Sequence, residues 1–354
     1  MSFEEFKEKL MEDLKQALYE QTGEEYSVYV STVNKLQNES YEAFTVKAEG
    51  SQIGVNINVQ ALFEAYEEGR SYEEVFDGTF RMVSDSVSQP PDFNLNEFTN
   101  YEIMKEKLSI QVVATERNAE ILEGIPHMEV EDMSLVCRFL VEAGAYENGT
   151  ILVTNSMLEN YGISKEQLFA DALESAPEIK PSEIRSMADV LAEIMGMDVS
   201  EFGDQMGLSM DDEITMYVAS TKDRTNGAGI IAYPGFFDMA AEKVGGDFFV
   251  LPSSVHEVII VPDDGTKDFR VLEDMVKEVN AAQVDLKDQL SDHVYHYDSK
   301  DKVFELAEKF EARAKDKAVE KGSVRKELSD KKKETAEKPK EKQPKAPKKE
   351  ETSL

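Results

Sequence analysis

Residues 247–262, Asp-Phe-Phe-Val-Leu-Pro-Ser-Ser-Val-His-Glu-Val-Ile-Ile-Val-Pro, constrain the fold more than any other stretch. Two short runs rich in aromatic and β-branched residues flank Pro252-Ser253-Ser254, which reads as strand, turn, strand. A helical pattern follows, ending through Met275-Val276 and Val279-Asn280. The block then closes on Leu290-Ser-Asp-His-Val-Tyr-His-Tyr-Asp298, and it holds three of the four histidines of the chain. Paired strands of this kind need helices packed on them, so the class is α+β with a mostly antiparallel sheet system.

The remaining chain supplies those layers. Ser2 and Glu5 form a capping box, and Phe3, Phe6, Leu10, Leu14 and Leu18 keep helical spacing up to Gly23. Strands are predicted over Tyr26 to Val33, Tyr41 to Ala48 and Gln52 to Val59, with a turn at Glu49-Gly50-Ser51 joining the last two. A second capping box, Ser71 with Glu74, lies in the helical stretch from Ala61 to Val87, which stops at Pro90-Pro91. Asn96 to Lys107 reads as a helix and Ser109 to Ala114 as a strand. Asp132 to Val141 and Thr150 to Thr154 read as a hairpin whose loop carries Gly144, Asn148 and Gly149.

A third box, Ser164 with Gln167, opens a helix expected to end before Pro177. The methionine-rich stretch from Met187 to Met210 reads as helical or irregular, either covering the sheet or forming a mobile lid. Asn226-Gly227 reads as a turn between strands at Ile214 to Ser220 and Gly229 to Tyr233. Val303, Leu306 and Phe310 allow a helix to about residue 320. A weak echo between Leu62, Tyr66, Ser71 and Phe76 and Leu158, Tyr161, Ser164 and Phe169 allows two similar halves meeting near 125–145, although ordinary capped helices account for it without duplication. The expected organisation is therefore an N-terminal α+β region over 1–130, a C-terminal α+β region over 131–320, and a Lys/Glu/Pro tail over 321–354. That tail has no aromatic residue and cannot bury enough apolar area to offset its ordering entropy, so it is expected to be disordered.

Charge is divided unevenly. Residues 311–354 carry 15 basic and 10 acidic residues, leaving 24 basic against 62 acidic over 1–310, a net of −38. Such a body repels nucleic-acid phosphates and excludes direct nucleic-acid binding by that surface. Solubility alone accounts for acidity of this kind; the sharper reading is a basic protein partner or polyanion mimicry. The lysine-rich tail reads as solubilising or self-associating with the acidic body, since it offers no aromatic rings for stacking on bases. The acidic amphipathic N-terminus is unlike a secretory signal, and no apolar run approaches ~18 residues. A cytoplasmic protein without a membrane span is expected. The single cysteine, Cys137, sits in the apolar run Leu135-Val-Cys-Arg-Phe-Leu-Val141 and reads as a buried inert thiol.

Asn155-Ser-Met-Leu-Glu-Asn-Tyr-Gly-Ile-Ser-Lys-Glu-Gln-Leu-Phe169, Met216-Tyr-Val-Ala-Ser220, Leu251-Pro-Ser-Ser-Val-His-Glu-Val258 and Leu290-Ser-Asp-His-Val-Tyr295 resemble an uncharacterised bacterial family. It is a domain of unknown function, found mostly in anaerobic Firmicutes and often encoded near mobile-element genes. The likeness runs from residue 1 to about 320. It implies one family-wide unit and carries no activity, cofactor or catalytic residue.

Candidate chemistry rests on the histidines. His293 and His296, with Asp292 or Asp298 and with His256 as a distant third ligand, have the residue types of a zinc or iron site. The flanking tyrosines favour a strand, which would send His293 and His296 to opposite faces. His256-Glu257 lacks the second histidine of a zinc-protease motif, because position 260 is isoleucine. Period-two alternation would place His256 on one face with Val258 and Ile260. Ser253 and Ser254 lack a nucleophile elbow, Gly227-Ala228-Gly229 is too short for a dinucleotide fingerprint, and the Asp211–Glu213 and Asp263–Asp264 clusters lack EF-hand spacing. No cofactor is expected. The leading expectation is a non-enzymatic interaction protein; the alternative is a metalloprotein or metal-dependent enzyme using His256, His293 and His296.

Overall fold

A computed structural model describes residues 1–33, 35–38, 40–50, 54–88, 95–143, 146–198, 216–252, 254–317 and 319. Residues 1–306 form one compact unit and the chain from 307 onward a second, in which residues 307–317 are helical.

The N-terminal layer is built around α1 (Phe3–Thr22), whose capping box from Ser2 and Glu5 is complete and whose end is the left-handed Gly23. Its apolar stripe, Phe6, Leu10, Leu14 and Leu18, is fully buried. Burial of each such side chain stabilises the fold by roughly 1.5–3 kcal/mol. The stripe packs with Val28, Phe44, Val46 and Ile57 from an antiparallel sheet of β1 (Tyr26–Val33), β2 (Tyr41–Ala48) and β3 (Val55–Asn58). Residues from α2 (Val59–Glu67) and α3 (Tyr72–Ser88) complete this core. The Ser71–Glu74 box opens α3 in both directions.

A second sheet runs in the order β4 (Leu108–Ala114), β6 (Met133–Ala143), β5 (His127–Val130), with β7 (Tyr146–Leu152) also pairing β6. The third runs β13 (Val303–Leu306), β12 (Tyr295–Asp298), β10 (Phe248–Leu251), β11 (Glu257–Pro262), β9 (Tyr217–Thr221), β8 (Ser182–Ser186). Every pairing given by these strands is antiparallel. One large core joins the two sheets: Ile110, Leu135, Cys137 and Phe139 meet Ala219, Phe248, Val250, Val258 and Ile260, with Leu168, Phe169, Ala172 and Ala176 of α8 (Lys165–Ile179). The expected α+β class with antiparallel sheets and packed helices is what the chain forms.

Several local expectations are corrected. The region expected to be one helix over 96–107 is broken into α4 (Leu95–Phe98), α5 (Tyr101–Met104) and a 3-10 turn at Lys105–Lys107. Asn148 and Gly149 lie within β7, Gly149 opposite Val141, so the β6–β7 loop is shorter than the turn residues suggested. The α8 helix carries Pro177 inside its last turn, where the missing N–H removes only one bond. Gly227–Ala232 is a buried 3-10 segment, not a hairpin, because it is pressed between sheets: a Cβ on Gly229 would overlap the Ile110 carbonyl oxygen, and one on Gly227 would overlap Ser220 and the His256 carbonyl. Val303–Leu306 is an edge strand rather than helix. The β5–β6 hairpin spans residue 130, one core draws on residues from Phe6 to Val83, and the large core draws on residues from Tyr101 onward. The expectations for Gln52–Ile53, Pro90-Pro91, Gly144, Ser253, Ile214 and the tail beyond 320 fall outside the described residues.

Further elements are α6 (Ala119–Leu122), α7 (Asn155–Tyr161), α9 (Met187–Met195), α10 (Phe236–Val244) and α11 (Phe269–Ala282). No helix among the described residues is long and apolar enough to cross a membrane.

Candidate functional site

The three histidines proposed as ligands are not brought together. His256 lies in the turn before β11, its Nε2 3.3 Å from Asp288 Oδ1. His293 sits in the bend before β12, exposed, with Nδ1 3.9 Å from Glu273 Oε2. His296 is fully buried in β12, its Nε2 3.0 Å from Asp263 Oδ2, with Phe249 edge-on to the ring. His296 pairs with Phe249, which pairs with Val261. His256 lies five residues from Val261, a separation of about 17 Å at ~3.3 Å per strand residue. Ligands of one ion must each reach it at about 2 Å. No group of three His, Cys, Asp or Glu side chains suited to a metal occurs among the described residues. His256 also falls short of the β11 alternation expected for it, and its ring is partly exposed rather than packed with Val258 and Ile260.

What His256 does enter is a cleft of about 320 Å³. Lys35, Leu36 and Gln37 come from the β1–β2 connection; Gln111 from β4; Arg138 from β6; Leu152 from β7; Asn226, Val255 and His256 from the third sheet's connections; Lys287 and Asp288 from the loop after α11. Strand parity explains Arg138. In β6, Leu135, Cys137 and Phe139 face the large core, so Ser134, Val136 and Arg138 face the other way, where Val136 packs with Leu36, Val113, Leu122 and Ile125. Arg138 is thereby held half-buried at the border of that small apolar cluster.

Neutral acceptors hold the guanidinium. Nε donates to Thr150 Oγ1 at 2.9 Å and an Nη donates to Gln111 Oε1 at 3.1 Å. Burial pulls its pKa below the usual arginine range, with no carboxylate offsetting it. Among the described residues the one carboxylate lining the cleft is Asp288, which faces His256. The His256 Nδ1 accepts the Asn226 N–H at 3.2 Å, so a neutral ring carries its proton on Nε2, toward Asp288. Both ring nitrogens are engaged, and the lone pair a general base would use points at a backbone amide.

A buried amide network fixes the wall carrying Lys35 and the loop carrying Lys287. Gln37, left-handed at φ 67, donates its N–H to Asn118 Oδ1 at 2.5 Å, and Asn118 Nδ2 donates to Gln37 Oε1 and to the Ala114 carbonyl, both at 2.7 Å. Gln37 Nε2 donates to the Gln289 carbonyl at 2.7 Å, and Arg117 donates to Gln289 Oε1 and the Leu286 carbonyl, each at 2.9 Å. A more open depression of about 600 Å³ beside α1 and α3 is lined by Lys9, Asp13 and Tyr72, which satisfy one another.

Sequence reasoning passed over Lys35, Arg138, Lys287 and Asp288. The available signal was Arg138 itself, a cation inside the apolar run Leu135–Val141.

No curated protein and no solved structure matches the chain. A family model described as a family of unknown function, DUF5688, matches residues 3–299, taking in every strand of the three sheets except β13 and each of the cleft residues named above. That span covers most of the chain, and the protein belongs to this family of unknown function.

Proposed function

We propose that the protein is a non-enzymatic cytoplasmic interaction protein whose acidic body receives a basic protein partner. The observation that carries this reading is the surplus of 62 acidic over 24 basic residues in 1–310. Part of it is concentrated on α2, α3 and their connection, where Glu64, Glu67, Glu68, Glu73, Glu74 and Asp77 are exposed and Arg70 and Arg81 are the basic residues. Repulsion among such charges opposes compaction, and a basic partner would relieve it. The histidine geometry supports a binding role, because the ring best placed in a cleft has no free lone pair. An accessory role beside mobile elements, which the family resemblance implied, belongs to this same reading.

The test is affinity capture from native cytoplasm at about 50 and 500 mM salt, where screening lengths differ severalfold. A basic protein retained at low salt and released at high salt is expected. Replacing Glu67, Glu68, Glu73 and Glu74 by glutamine should then weaken its binding at least tenfold; unchanged affinity would refute the electrostatic reading.

A further inference from the structure

We propose that the cleft between the three sheets is a binding site for a small phosphorylated molecule, with Arg138, Lys35 and Lys287 receiving its phosphoryl group. The site is separate from the acidic surface invoked above and does not depend on it.

Charge is the first argument. Leaving His256 aside, Lys35, Arg138 and Lys287 against Asp288 put the described cleft lining at +2, on a body of net −38. Neither lysine makes an ion pair among the described residues, although acidic groups are abundant elsewhere on the body; Lys35 lies over the Tyr41 ring at 5.1 Å. Three cations thus converge on one cleft whose described lining carries a single carboxylate, Asp288, and that carboxylate faces His256.

Geometry is the second. Thr150 and Gln111 orient the guanidinium through neutral oxygens, keeping its full charge and leaving further N–H donors for a ligand. A planar fork with two mobile ammonium groups suits a tetrahedral dianion, and arginine binds phosphate oxygens in pairs. A half-buried cation without a counter-charge is costly, and bound phosphate would remove that cost. Leu36, Leu152 and Val255 give the cleft an apolar wall for the organic part. Its volume is near the lower end of the range of about 300–1,000 Å³ for small-molecule sites, which selects a ligand of monophosphate size.

The test is calorimetric titration of the full chain with glycerol 3-phosphate and adenosine 5′-monophosphate, with succinate as the carboxylate comparison. Saturable one-site binding of a phosphate probe is expected. Arg138→Gln should abolish it, the exposed pair Lys35→Ala/Lys287→Ala should weaken it at least tenfold, and Lys165→Ala on α8 should leave it unchanged. The double lysine variant removes only exposed side chains, so its result stands even if Arg138→Gln fails to fold. No saturation by either phosphate probe up to about 10 mM, equal affinity for succinate, or binding indifferent to the lysine pair would each overturn the assignment.

Discussion

Asn118→Ala should be among the most damaging single polar substitutions in the protein. The side chain is 1% exposed and makes three hydrogen bonds, two with Gln37 and one with the Ala114 carbonyl. Gln37 is itself 4% exposed, so water cannot replace what alanine removes. At about 1 kcal/mol net per bond, with buried partners left unsatisfied, the loss is about 3 kcal/mol. The chain has 13 tyrosines and no tryptophan, so tyrosine fluorescence and circular dichroism are the natural probes of urea unfolding. With a slope of about 3 kcal/mol per molar urea, the midpoint should fall by about 1 M. Gln37→Ala combined with Asn118→Ala should cost less than the sum of the single changes, because both remove the Asn118 Nδ2–Gln37 Oε1 bond. A midpoint shift below about 0.2 M at unchanged slope, or strict additivity, would refute the claim that this amide pair joins the N-terminal layer to the body.

Gly229→Ala should destabilise by about 3 kcal/mol, since its Cβ would meet the backbone oxygen of Ile110, which cannot swing aside as a side chain can; thermal unfolding measures it. Burial pulls the His296 pKa below that of free histidine even though Asp263 opposes the shift. The unfolded chain therefore takes up this proton first, and stability should be full above about pH 6.5 and decline as pH falls below it. Urea midpoints at pH 7.5 and 5.5 should differ in that sense, and the difference should shrink in His296→Gln. Cys137 is fully buried and its thiol is pushed far above the usual range by burial, so a thiol reagent at pH 8 should leave it unmodified until denaturant is added.

The elements legible in the sequence are those that local chemistry specifies. α1 and α3 announce themselves by capping boxes, and β1 and β2 match their expected bounds to the residue. Elements set by tertiary contacts were not legible. β5 and β8 are four and five residues long and exist because β6 and β9 offer them partners. Gly227–Ala232 carries turn residues, yet its glycines serve close approach to β4 and β9 rather than a reversal. The cleft was invisible for a related reason. Lys35, Arg138 and Lys287 have no spacing that a motif could capture, and only the pairing of sheets brings them to one place. Histidine spacing, by contrast, was legible and misleading, since three residues bearing the same ring point to three different carboxylates.

The Gln37–Gln289 contact also sets a timetable. The two residues are 252 positions apart, and a ribosome adding about 5–20 residues per second needs roughly 13 to 50 s to pass from one to the other. The N-terminal layer draws its own core from residues 3–87 and has all its parts early in that interval. The wall that presents Lys35 must therefore wait, already built, for a loop near the far end of the folded unit. During synthesis a nascent chain holds this edge open to whatever chaperone or neighbouring chain reaches it first.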